Sequence, residues 1–250
     1  MYDLSVIIPS INPEKWWQLL QGIKDSVGKY SFEVIFVGPH QPAEQFNERN
    51  VRFVQDRGCP ARALQLGVSL ANGIHFCWFP DDSTIDAGSL ESCLDLIKDK
   101  PKNHGITMRY DEGNNKQDQD PSYWIGSTHT DLRLLGIHPD WKISPVFFYH
   151  REYFIEVGGI SCALEHINMN GHSLAFYIQY MGGVLHSSPV RVFSNTYQHP
   201  PTDSPIFRAY HENDYPRFYH FWSRENAVLD YKVDFDNWKA TPDCWPRRYQ

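Results

Sequence analysis

Asp81 and Asp82 stand side by side directly after an apolar run, Ile74 to Phe79, that ends at Pro80. Two carboxylates at the end of a buried segment carry a solvation cost unless something pairs with them. A divalent cation is one such partner, and hard oxygen ligands suit Mg2+ or Mn2+. An ordinary turn ahead of a helix would place an Asp-Asp pair in the same way. Two other apolar runs end in short segments of polar, glycine and proline residues: Pro9-Ser10-Ile11-Asn12 and Gly38-Pro39-His40. Three such ends brought together would form a ligand site of the kind found at the carboxyl edge of a parallel sheet.

The elements that must position them follow from periodicity. Leu4 to Ile8, Phe32 to Val37, Val51 to Val54 and Ile74 to Phe79 are short β-branched and aromatic runs, as expected of strands buried on both faces. Between them the pattern turns helical: from Pro13 through Trp17, Leu20 and Ile23, from Ala61 to Ala71, and from Gly88 to Lys98. Strand–helix alternation of this kind predicts an α/β fold with a mostly parallel central sheet and helices on both faces. After Lys100 the pattern loosens. Asp111 to Asp120 reads as a polar loop, Ile143 to His150 as a strand, Leu174 to Met181 as a helix, Val184 to Phe193 as a strand and Tyr215 to Asn226 as a helix. No linker stands out, so residues 1–250 are taken as one domain.

Composition narrows the partners. Lys and Arg number 23 against 30 Asp and Glu, a net charge of −7, which argues against a nucleic-acid-binding protein. It does not argue against a nucleotide, whose diphosphate needs only a positioned Arg or a metal. Aromatic residues make up 15% of the chain, too many for a disordered one. No run approaches the roughly 20 apolar residues of a membrane-spanning helix, and the first residues lack the basic region of a signal peptide. Five widely spaced cysteines, with no CxxC, suggest reduced thiols and a cytoplasmic protein.

The order of motifs resembles the family 2 inverting glycosyltransferases, which have the GT-A fold. The resemblance rests on Ile7-Ile8-Pro9-Ser10-Ile11-Asn12, then Glu33-Val34-Ile35, then Arg57-Gly58-Cys59-Pro60-Ala61-Arg62, then Ala71-Asn72-Gly73 leading to Asp81-Asp82. It implies that residues 1–100 bind a nucleotide-sugar donor, most often a UDP-sugar, and that residues 101–250 bind the acceptor. Pro9, Ser10 and Ile11 would line the base, Arg62 would contact the nucleotide, Asp81 would face the ribose or the metal, and Asp82 would hold the metal, Mn2+ or Mg2+. The acceptor would be a hydroxyl of a saccharide or of a lipid-linked saccharide. A lipid-linked acceptor would bring the protein to a membrane surface, and the product would be a surface glycan.

The chain departs from that family in two places. Gly38-Pro39 stands where the second strand usually ends in an Asp that reads the base. Counting back from Gly182, Asn170-Gly171 stands where an acidic pair usually supplies the catalytic base. Glu165 and His172 are the replacements: a carboxylate within about 3 Å of a hydroxyl can deprotonate it, and imidazole has a suitable ordinary pKa. Either could instead be a structural residue. His199, ahead of Pro200-Pro201, stands where relatives complete the metal site with a His. Trp124, Trp141, Tyr149, Tyr197 and Trp222 could line an acceptor groove or pack a core. Two rival readings remain: a catalytically silent nucleotide-sugar-binding module, and a nucleotidyltransferase, which should carry a Gly-rich phosphate loop with a Lys that is not found here.

Overall fold

The structure is a computed structural model that describes residues 1–42, 46, 48–112, 141–195 and 204–222. Its strands are β1 (Tyr2–Pro9), β2 (Phe32–Gly38), β3 (Val51–Gln55), β4 (Gly73–Trp78), β5 (Ser83–Ile85), β6 (His104–Glu112), β7 (Phe147–His150) and β8 (Val184–Asn195). The helices are α1 (Trp16–Val27), α2 (Pro60–Leu70), α3 (Ser89–Ile97), α4 (Arg151–Glu156), α5 (Ile167–Tyr180), α6 (Pro205–Arg208) and α7 (Tyr215–Trp222). A π-helical stretch, Ala209–Asp214, joins α6 to α7.

Among the described residues, eight strands form one sheet in the order β3-β2-β1-β4-β7-β6-β8-β5. Pairings β1–β2, β1–β4, β2–β3 and β6–β8 are parallel, and β4–β7, β6–β7 and β5–β8 are antiparallel. The chain leaves β1 in one direction, to β2 and β3, and returns on its other side to β4. That reversal puts a topological switch between the carboxyl ends of β1 and β4, the place where open α/β sheets bind ligands.

Local sequence explains the first half. β1 buries Leu4 to Ile8 on both faces. α1 turns Trp16, Leu19, Leu20, Ile23 and Val27 inward at helical spacing and packs on α3. α2 opens with Pro60 at its first position, where the missing N–H costs nothing. It covers the other face and meets α5. Gly73 starts β4 because a Cβ there would come within 2.5 Å of Ser5 Oγ. Its own N–H donates to that oxygen at 2.8 Å, and Ser5 in turn donates to the buried Glu33 at 2.7 Å.

The second half differs more from expectation. Asp111 and Glu112 do not begin a loop; they complete β6, and Asp111 accepts from Arg191 of β8 at 2.7 Å. The guanidinium also holds Asp86 in a bidentate pair. α5 begins at Ile167, seven residues before the expected start. Tyr149 and Trp222 belong to the core, each 1% exposed, and Trp141 is half-buried against Phe176 and Tyr180. Trp124, Tyr197 and His199 lie outside the described residues. Among the described residues, no helix is long and apolar enough to cross a membrane.

Candidate functional site

The switch point opens into a cleft of about 290 Å3. Its floor is built from strand ends: Pro9, Ser10 and Ile11 after β1, Gly38 and Pro39 at β2, Asp56 and Gly58 after β3, and Trp78, Pro80, Asp81 and Asp82 after β4. His166, Ile167 and Asn168, at the amino end of α5, also line it, as do Ile206 and Asn195, which pairs with Ser83 beside Asp82.

Asp81 organises the floor. Its carboxylate accepts from Ser10 Oγ at 2.6 Å, Ile11 N at 2.9 Å, Asn12 N at 2.8 Å and Asn12 Nδ2 at 3.0 Å. Ser10 Oγ also accepts from the indole of Trp16, whose ring stacks on Phe36 with centroids 4.6 Å apart. The Pro9–Asn12 loop is therefore pinned by the first of the two aspartates. Asp82, beside it, is only half-buried. Burial and then the neighbouring charge of Asp81 push its carboxyl upward, with Lys15 opposing. An anion held next to another anion is a fitting partner for a cation. Among the described residues no three His, Cys, Asp or Glu side chains form a metal-holding group. A cation at Asp82 would take its remaining oxygens from phosphate and water, which suits Mg2+ and similar ions.

Arg62 does not line the cleft. Its Nε reaches both oxygens of Asp56, at 2.9 and 3.0 Å, and the Gly58 N–H donates to the same carboxylate at 2.8 Å. Asp56 does line the cleft, so Arg62 stands behind it. Asp56 is the residue that motif matching passed over; its place one residue after β3 and two before Gly58 was the available signal. Gly38 is explained by contact: a Cβ there would lie 1.7 Å from the Ser10 carbonyl oxygen. The close approach of the two strand ends leaves no room for a side chain at this position.

The expected bases lie near the cleft without lining it. Glu165 is 3% exposed, its N–H donates to Asp214, and its carbonyl accepts from Ala61 N at 3.1 Å. His172 sits in the second turn of α5, its ring centroid 6.4 Å from that of Phe218 at an interplanar angle of 62°. Between them in sequence, His166 reaches the cleft. It is the N-cap of α5: Nδ1 accepts from Asn168 N at 3.2 Å. Its own N–H donates to Asp214 Oδ2 at 2.5 Å. Burial lowers its pKa to about 4, so the ring is neutral at pH 7. With Nδ1 accepting, the ring proton is on Nε2. Asp214 is fully buried, and burial pushes its carboxyl up against the opposing pull of three N–H donors, Glu165 N, His166 N and Asn213 Nδ2.

The fold is that of the GT-A glycosyltransferases, a mostly parallel sheet with its cleft at the switch point. S. aureus TarS, residues 1–349, matches with a TM-score of 0.55 at 15% identity, over 78% of this chain and 60% of that one. The same protein has been solved with UDP and with UDP-GlcNAc. PcManGT, a mannosyltransferase from Pyrobaculum calidifontis in complex with GDP-Man and Mn2+, matches with a TM-score of 0.58 at 16% identity, over 80% of this chain and 58% of that one. The chain thus spans about three-fifths of the length of these structures. No protein-family model and no curated protein sequence matches it.

Proposed function

We propose that the protein is a metal-dependent glycosyltransferase that moves a sugar from a nucleoside-diphosphate donor to a hydroxyl of a saccharide or lipid-linked acceptor. The observation that carries this is the cleft itself: Asp81 fixes the Pro9–Asn12 loop against one edge while Asp82, half-buried, lines the cleft beside it. The solved neighbours with this fold hold UDP, UDP-GlcNAc or GDP-Man with Mn2+.

In this reading the Pro9–Ile11 loop, Pro39 and Asp56 line the base, and Arg62 keeps Asp56 in place. Asp82 would hold Mn2+ or Mg2+, which when bound supplies charge neutralisation for the departing diphosphate. The reaction is a single displacement with inversion. Glu165 accepts the acceptor's proton, with His172 the second candidate. Residues 1–100 supply most of the donor site and 101–250 the acceptor site, although His166, Asn168 and Asn195 bring the second half to the donor cleft. UDP-sugars are the first donors to test, the pathway is surface glycan synthesis, and the compartment is the cytoplasm.

Thermal shift tests the donor reading. A nucleotide sugar at 100 times its Kd adds about 2.7 kcal/mol, which raises Tm by roughly 5–10 °C in a chain of this size. Release of nucleoside diphosphate on adding Mn2+ supports transfer chemistry; release of pyrophosphate, or no shift with any nucleotide sugar, overturns it. The second reading, a silent nucleotide-sugar-binding module, is favoured by one observation: neither Glu165 nor His172 lines the cleft. Binding with no turnover, unchanged in Glu165→Gln and His172→Ala, would establish it.

A further inference from the structure

The residues of α5 that line the cleft are held from elsewhere in the chain. His166, Ile167 and Asn168 reach the cleft at the amino end of α5, and Ile206 reaches it from α6. Asp214, the last residue of the π-helical stretch that follows α6, ties the two together. Its Oδ1 and Oδ2 accept from Glu165 N at 2.9 and 3.0 Å, and Oδ2 accepts from His166 N at 2.5 Å. The His166 ring also meets Tyr210 of the same stretch edge to face, with centroids 5.3 Å apart. On its other side, the Glu165 carbonyl accepts from Ala61 N in the first turn of α2 at 3.1 Å.

The π geometry turns this carboxylate inward. In an α-helix, residues five apart lie about 140° apart round the axis. The wider i→i+5 turn, seen in the bond from Tyr215 N to the Tyr210 carbonyl, brings such residues toward one side. Ala209 and Asp214 are accordingly both buried, at 1% and 0% exposed, while His211 and Glu212 between them are exposed. Among the described residues, Asp214 has three N–H donors and no Lys or Arg ion partner; the third donor is Asn213 Nδ2 at 2.7 Å. A carboxylate buried without a basic partner adds little to stability and can lower it. What it supplies is geometry: one planar acceptor that holds two successive N–H groups leaves that segment a single orientation.

We propose that Asp214 is a positioning residue for the cleft: by holding Glu165 N and His166 N it keeps the amino end of α5 where His166 and Asn168 meet the bound nucleotide sugar, so that donor affinity depends on a carboxylate that does not itself line the cleft. The proposal rests on the donor reading above and adds to it what holds the donor cleft in its binding form. If the hold and the ligand are coupled, each strengthens the other by the same factor. Removing the carboxylate must then weaken binding, and binding must tighten the bonds to the carboxylate.

Calorimetric titration of the full chain, with Mn2+ in excess, by UDP, GDP, UDP-GlcNAc and GDP-mannose tests the first half. Asp214→Ala removes the acceptor, Asp214→Asn keeps one oxygen, and Glu212→Gln alters the exposed carboxylate two residues earlier as a control. For whichever nucleotide sugar the parent binds, Asp214→Ala should raise Kd ten-fold or more, Asp214→Asn should raise it less, and Glu212→Gln should leave it unchanged. Formate, a carboxylate small enough for the space left by Ala, should restore part of the affinity of Asp214→Ala. A role in stability only would lower Tm and the fraction of chain that binds, with a parental Kd for the folded fraction and no response to formate; that result overturns the proposal. Amide hydrogen exchange of the parent tests the second half without any variant, read while the β1 amides remain unexchanged so that only local opening contributes. The bound nucleotide sugar should slow exchange at the Glu165 and His166 amides by about five-fold or more, and unchanged exchange overturns the proposal. If the parent binds none of the four nucleotides, the donor reading falls and the positioning role with it; if it binds one and Asp214→Ala binds it equally well, the positioning role alone falls.

Discussion

Two neighbouring aspartates show how much position decides. Asp81 accepts from Ser10, Ile11 and Asn12 and is buried. Asp82 is half-buried, and burial and the charge of Asp81 work against its ionised form. Their neutral isosteres should therefore act in opposite directions. Asp81→Asn puts an NH2 against backbone N–H donors and removes charge-assisted bonds, each worth about 1.5–3 kcal/mol. Urea unfolding should show a loss of at least about 2 kcal/mol, together with loss of nucleotide binding. Asp82→Asn removes a repelled charge, so Tm at pH 7 should stay equal or rise while Mn2+ no longer improves nucleotide binding. A fall in Tm for Asp82→Asn, or a full Mn2+ response, would refute the division of labour between the two. The pair was legible in sequence as a pair. Which carboxylate binds the loop was not, because that depends on the approach of β1 to β4, with Ile11 and Asp81 70 positions apart.

At the scale of the element, α5 carries the same lesson further. Its first turns, Ile167 to Ser173, contain Asn168, Asn170, Gly171, His172 and Ser173, all weak helix formers. Propensity therefore delays the expected start to Leu174. Tertiary contacts override it. Asp214 accepts from Glu165 N and His166 N, and Asn170 Nδ2 donates to the Leu164 carbonyl at 3.0 Å. The bonds to Asp214 come from the π-helical stretch, 49 and 48 residues away, so no local window of sequence could show them. They are also why His166, which sequence reasoning passed over, ends at the cleft while Glu165 and His172 do not. Gly171 fits the same picture. Gly to Ala inside a helix ordinarily stabilises by up to about 1 kcal/mol. Here a Cβ would lie 2.4 Å from the Ser144 carbonyl oxygen and 3.0 Å from that of Pro145. Gly171→Ala should instead destabilise by about 1–3 kcal/mol, lower Tm, and weaken nucleotide binding by tilting α5 away from the cleft. A variant as stable as the parent would show that α5 is not held this close.

The whole molecule divides into an edge that carries the cleft and an opposite edge of different composition. The cleft takes the carboxyl ends of β1 and β4, and this much followed from strand–helix alternation alone. The other edge carries four histidines, unremarked in sequence because they are spread over more than a hundred residues. Register places them on one face across four adjacent strands: His75 pairs with His150, His104 continues that row on β6, and His186 pairs with Ile106. His104 Nδ1 and His186 Nε2 are 3.0 Å apart, and the rings of His75 and His150 are 5.3 Å apart. Burial, the leading cause in each case, lowers all four pKa values. His75 falls to about 4, with His150 adding to the effect and Asp3 opposing it. A histidine whose folded value lies below its unfolded value of about 6.5 contributes its full stability above 6.5, and that contribution is lost as pH falls toward 4. At pH 5 the unfolded chain binds the proton and the folded chain does not, so His75 alone costs on the order of 2 kcal/mol, about 4–8 °C in Tm for a chain of this length. His75→Gln removes the titrating group from the folded and the unfolded chain alike. Thermal unfolding at pH 7.5 and 5.0 should therefore show a drop in the parent that narrows by several degrees in this variant. An equal drop in both would mean that acid sensitivity arises elsewhere, and that the histidine row is only packing.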